Sequence, residues 1–175
     1  MLSRIIFDAS ALRDMWHTGL LESLGCMGHD VFTTTRAFLA SELQPDYTSD
    51  VAANFFFIRI DQPADDEFYR IQTLQRQYPA TTFSDCSVLL KASDKGYSLL
   101  TSDLTVRKIA CEIGIPTISF HTLLGNMVHS EMISLLEATE IYMQLSRSTG
   151  TLTGFAPTVQ HPATLFSKKP KTITA

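Results

Sequence analysis

The chain has 175 residues, 45% of them hydrophobic, a size and composition suited to one domain with a modest extension. Its 18 Asp and Glu outnumber 14 Lys and Arg for a net charge of −4, which argues against broad nucleic-acid binding through overall charge. No apolar run approaches the ~18 residues of a spanning helix, and three cysteines without CxxC or Cys/His spacing argue against zinc or a disulfide framework. The expected setting is a reducing cytoplasm, with no secretory leader ahead of the first strand.

Arg4 to Phe7 reads as a buried first strand, followed by a helix over 11–24 with Leu12, Trp16 and Leu20 on one face and Gly25 as its stop. Val31 to Thr34 is a second strand, and Arg36 to Leu43 a helix ended by Pro45. A third strand runs from Asn54 to Ile60 through Phe55, Phe56 and Phe57, read with Trp16 as core. The next helix opens in Asp65-Asp66-Glu67, acids that favour a helix N-terminus, and carries Phe68, Ile71, Leu74 and Tyr78. Another helix begins near Asp85 and stops at Gly96, before a fourth strand from Tyr97 to Thr101. Val106, Ile109, Ala110 and Ile113 recur at helical spacing up to Gly114, and Ile115 to Phe120 makes a fifth strand. A last amphipathic helix over 130–145 aligns Met132, Leu135, Leu136, Thr139 and Met143.

This alternation predicts an α/β protein, a three-layer α/β/α sandwich around a central parallel sheet of about five strands. The domain is expected to occupy residues 1–146. Residues 147–175 hold Arg147, Lys168, Lys169 and Lys171 and no acid, and read as a basic, flexible tail.

Four carboxylates carry the chemistry. Asp8 closes the apolar run Ile5-Ile6-Phe7, Glu42 lies on the helix after the second strand, Asp85 opens a helix, and Asp103 follows the fourth strand. In an open parallel sheet, ligands gather outside the carboxyl ends of the strands. Acids converging there repel one another unless a divalent cation joins them, and hard cations such as Mg²⁺ take oxygen ligands. The spacing points to a metal-dependent site for a phosphate substrate. Taken singly, Asp85 and Asp103 equally suit the first turn of a helix. A carboxylate straight after a buried strand, as at Asp8, is costly without a partner.

The ordered set Ile6-Phe7-Asp8-Ala9-Ser10-Ala11-Leu12, Ser84-Asp85-Cys86-Ser87-Val88-Leu89-Leu90 and Leu99-Leu100-Thr101-Ser102-Asp103-Leu104-Thr105-Val106-Arg107 resembles the PIN-domain family, in particular its VapC-like toxin-type ribonucleases. The likeness covers roughly residues 1–125. It implies a metal-dependent endoribonuclease in which Asp8, Asp85, Asp103 and Glu42 bind Mg²⁺ or Mn²⁺, directly or through water. It also implies that Ser10 and Thr101 orient the carboxylates, and that a small antitoxin protein blocks the site. Monomer and homodimer both stay open.

Arg36, Arg107 and Lys108 could meet RNA phosphates, although solvated helix faces are the commoner fate of such charges. The five histidines show no ligand or acid–base spacing, and Asp85 beside Cys86 disfavours a thiolate. Asp61 after the third strand suggests a phospho-acceptor receiver, but that fold needs an acidic pair after strand one and a Lys after strand five, where Asp8 stands alone and His121 follows. A haloacid-type phosphatase needs an Asp where Ser10 stands. The remaining rival is a catalytically weak PIN module acting as a scaffold. Whether the four carboxylates share one metal-sized cluster discriminates the two.

Overall fold

The computed structural model describes residues 4–26, 29–42, 58–61 and 65–149. The chain divides into two compact units, Met1–Phe120 and His121–Ala175.

The first unit is built on five parallel strands, β1 (Arg4–Phe7), β2 (Asp30–Thr34), β3 (Ile58–Asp61), β4 (Ser98–Leu100) and β5 (Thr117–Ile118), in the spatial order β3-β2-β1-β4-β5. All pairings are parallel, with Ile6 opposite both Phe32 and Leu99. Side chains alternate between the faces of a strand, yet Ile5, Ile6 and Phe7 are all buried, so both faces of β1 are covered. The expected three-layer α/β/α fold class is the observed one.

Among the described residues the helices of this unit are α1 (Ala9–His17), α2 (Leu20–Cys26), α3 (Thr35–Ala40), α4 (Glu67–Gln77), α5 (Phe83–Lys95) and α6 (Leu104–Glu112). Ile6, Phe32 and Leu99 share a core with Val88, Leu89 and Ala92 of α5 and with Val106, Ile109 and Ala110 of α6. Tyr97 stacks on Phe32 with ring centroids 4.3 Å apart. α5 starts at the Thr82–Asp85 capping box and ends at left-handed Gly96 (φ 66°), a conformation that costs a residue without a side chain least. Between α4 and α5, buried Glu67 meets Lys91 Nζ at 3.2 Å.

Several local expectations need correction. The helix read over 11–24 is two helices. Thr18 caps the first, its hydroxyl returning to Asp14 O, and Gly19 turns left-handed at φ 69° before α2 begins. Trp16 is half-buried, not core, and Phe68 of α4 is exposed. Phe55, Phe56 and Phe57 lie outside the described residues, as does the tail from 150 onward.

In the second unit, α7 (Phe120–His129) has no counterpart in the sequence reading, and α8 (Leu135–Thr149) begins later than expected. Glu131 sits at a left-handed φ of 56°, which breaks the chain direction. Ser134 and Glu137 then start α8 with reciprocal side-chain-to-backbone bonds of 3.1 and 2.7 Å. The stripe Met132, Leu135, Leu136 and Met143 is exposed, whereas Ala138 and Leu145 are buried.

Candidate active site

The chain runs outward from β1 through β2 to β3, then returns to lay β4 on the other side of β1. The reversal falls between β1 and β4, and sheets of this kind bind ligands beyond the carboxyl ends of the strands at such a point. Asp8 follows β1 and Thr101, Ser102 and Asp103 follow β4, so the sequence places its polar residues at that reversal.

Asp8 is 1% exposed and N-caps α1. Its Oδ1 accepts from Ala11 N at 2.7 Å and from Ser10 Oγ at 2.8 Å, and its Oδ2 accepts from the Thr101 hydroxyl. Thr101 Oγ1 in turn accepts from Asp103 N at 3.0 Å, which ties the two acids through one hydroxyl. Burial pushes the Asp8 carboxyl up from its usual 3.8 to about 6. Hydrogen bonds from Thr101, Ala11 and Ser10 pull the other way, and the negative charge of Asp85 adds to the rise.

Asp103 N-caps α6, its Oδ1 accepting from Thr105 N and Val106 N. Asp85 occupies the first turn of α5, its Oδ2 accepting from Thr82 N at 2.8 Å. Each of the three acids thus starts a helix, and each spends one oxygen on the cap. Asp85 Oδ1 and Asp103 Oδ2 accept no hydrogen bond among the described residues.

Glu42 stands apart. It lies beyond the end of α3, exposed, on a left-handed φ of 59° that is uncommon for a residue with a side chain. Nothing among the described residues ties it to the other three acids.

Asp14 is a site residue that the sequence reading missed. It is buried on α1, accepts from Ser102, and has its carboxyl raised by burial. Ser102 Oγ also lies 2.9 Å from Ser10 Oγ, which donates to Asp8, so a chain of hydroxyls links Asp14 to Asp8. The available signal was an Asp four residues after Ser10, on the same helical face, set between Leu12 and Met15.

The donor chemistry suits a hard divalent cation. Magnesium is commonly held by one or two carboxylates while keeping several waters, and Asp85 and Asp103 each keep one oxygen that accepts no hydrogen bond among the described residues. An all-protein shell is not formed: among the described residues no group of three or more His, Cys, Asp or Glu side chains could hold a metal ion. Cys86 is buried, its Sγ 3.1 Å from Thr81 Oγ1, and burial raises its thiol, so no thiolate nucleophile stands here.

No family model and no curated protein matches the chain. Its fold is similar to that of the crystal structure of PAE2754 from Pyrobaculum aerophilum, with a TM-score of 0.53 and 16% identity over 74% of this chain and 99% of that one. Likeness at that identity extends to the fold alone. No helix among the described residues is long and apolar enough to cross a membrane.

Proposed function

We propose that this protein is a cytoplasmic, metal-dependent endoribonuclease of the PIN type, the toxin of a toxin–antitoxin pair whose antitoxin is a small protein covering the site. The observation that supports it most is Asp8: a dry carboxylate at the sheet's reversal point, held by Thr101 from the neighbouring strand end and sensing the charge of Asp85.

Asp8, Asp85 and Asp103 would hold Mg²⁺ or Mn²⁺, directly or through water, with Glu42 as the fourth acid of the family pattern. When bound, such an ion lowers the pKa of its water and neutralises developing phosphoryl charge. Ser10 and Thr101 fix both oxygens of Asp8, so its carboxylate pays little orientation entropy when it takes a ligand. Thr101 passes that order on to the start of α6 and Asp103. The chain contributes orientation and charge, not a covalent nucleophile.

Two observations favour the scaffold reading instead: Glu42 faces solvent, and no three-acid group closes among the described residues. Cleavage decides between them. The purified full chain is expected to cut single-stranded RNA with MgCl₂ or MnCl₂, to stop in EDTA, and to lose at least about a hundredfold in rate as Asp8→Asn. Undiminished cutting by Asp8→Asn contradicts the mechanism. A wild type inert towards RNA with either metal leaves the scaffold reading standing.

A further inference from the structure

Two arginines on helices that follow β2 and β4 form no ion pair among the described residues. Arg36 lies on α3, which leaves the carboxyl end of β2, and its guanidinium is 4.5 Å from the ring centroid of Phe83. Phe83 opens α5 two residues before Asp85. Arg107 lies on α6 across the sheet's reversal, and its Nη2 donates to Thr101 O at 2.7 Å. That residue's hydroxyl is the one bonded to Asp8. The strand order β2-β1-β4 puts Asp8 between the two elements that carry these arginines. At the usual strand spacing, β2 and β4 are about 10 Å apart.

Both side chains are half-buried, and the Nε atom of each is buried without a hydrogen-bond partner among the described residues. Neither forms an ion pair there, although exposed Arg70 is fully engaged by both oxygens of Asp94 at 2.7 and 2.8 Å. A partly desolvated guanidinium without an anion is costly to keep. Stacking on Phe83 fixes the plane of Arg36 without using its Nη donors, and the single bond to Thr101 O leaves Arg107 further Nη donors. Planar forked donors of this kind match phosphate oxygens.

We propose that Arg36 and Arg107 form a two-sided clamp for the RNA backbone, gripping phosphates on either side of the one presented to Asp8. The clamp rests on the ribonuclease reading and gives that site a substrate path, running from the end of β2 across β1 to the end of β4. It also accounts for how an acidic protein draws in a polyanion: the cations needed are local, not a property of net charge.

The test is binding of a fluorescent single-stranded RNA oligonucleotide to the full Asp8→Asn chain in EDTA, across a KCl series. Arg36→Gln and Arg107→Gln are each expected to weaken binding about tenfold and to flatten the log–log salt slope by about 0.7. Lys108→Gln, on the exposed neighbour of Arg107, should leave that slope unchanged. Arg36→Lys, which keeps the charge and tests the same contact if Arg36→Gln fails to fold, should retain the slope and lose several-fold in affinity. Arginine variants that bind like the parent, or a Lys108→Gln variant that matches them, overturn the clamp. If wild type still cuts RNA with MgCl₂ in that case, the clamp alone has failed. A parent that does not bind RNA, together with a wild type that does not cut it with MgCl₂ or MnCl₂, overturns both proposals.

Discussion

Two buried carboxylates in the first unit are treated in opposite ways. Glu67, 4% exposed at the start of α4, meets Lys91 Nζ at 3.2 Å. Asp8, 1% exposed at the start of α1, meets two hydroxyls and an amide, and no cationic side chain among the described residues pairs with it. The chain supplies the counter-charge where the acid joins two helices. It withholds one where the acid faces the sheet's reversal. Burial therefore does not separate these two carboxylates; the presence or absence of a paired cation does.

Removing the supplied cation should have the largest effect on stability. Lys91→Met takes away the cation 3.2 Å from buried Glu67, with an expected loss of about 3 kcal/mol in urea unfolding. The double variant with Glu67→Leu should recover most of that loss. A single variant as stable as wild type would break the comparison, because the pair would then carry no more weight than a surface contact.

Asp8 should show its lack of a partner in the pH dependence. Its folded-state carboxyl, at about 6, lies above its usual 3.8, so the native state holds that proton more tightly than the unfolded chain. In EDTA this stabilisation is fully present below pH 3.8 and is lost as pH rises through 6. The change amounts to about 3 kcal/mol at most, at ~1.36 kcal/mol per tenfold change in proton affinity. Asp8→Asn should abolish this component and raise stability at pH 7.5 by about 1–2 kcal/mol, since an amide keeps an acceptor for the α1 cap. Unchanged pH profiles for wild type and Asp8→Asn would show that the carboxyl is not desolvated as described.

A smaller effect belongs to the hydroxyl chain. Ser102→Ala removes the hydroxyl that links Asp14 and Ser10, and should cost about 1 kcal/mol. It should also raise the pH at which Asp8 loses its influence, by less than Thr101→Val does, because the Thr101 hydroxyl bonds Asp8 directly and holds its carboxyl down.

Much of the fold was legible because a parallel sheet buried on both faces writes itself as short apolar runs, such as Ile5-Ile6-Phe7 and Leu99-Leu100, between helical patterns. Glycine stops read correctly at Gly96, where the cap is left-handed, but Gly19 was passed over inside an unbroken apolar period. α7 was missed because Ile115 to Phe120 looks like one strand, whereas only Thr117 and Ile118 pair and Phe120 already begins the helix. The exposed stripe on α8 misled for a related reason: period reports which residues share a face, not what covers it. At the site, strand-end position was enough to pick out Asp8 and Asp103. Asp14 stayed hidden because a polar residue within a helix discloses its partner only once α1 and the end of β4 are brought together.

We infer that the counter-cation of Asp8 comes from solution. Scanning calorimetry of the full chain and of Asp8→Asn, in millimolar MnCl₂ against an ionic-strength-matched KCl control, tests it most directly. A cation bound only by the native state stabilises by mass action, by about 2.7 kcal/mol at a hundredfold excess over its dissociation constant. The account predicts a manganese-dependent rise in the melting temperature of wild type that Asp8→Asn largely loses. A wild type unmoved by manganese, or a rise of the same size in both proteins, would contradict it.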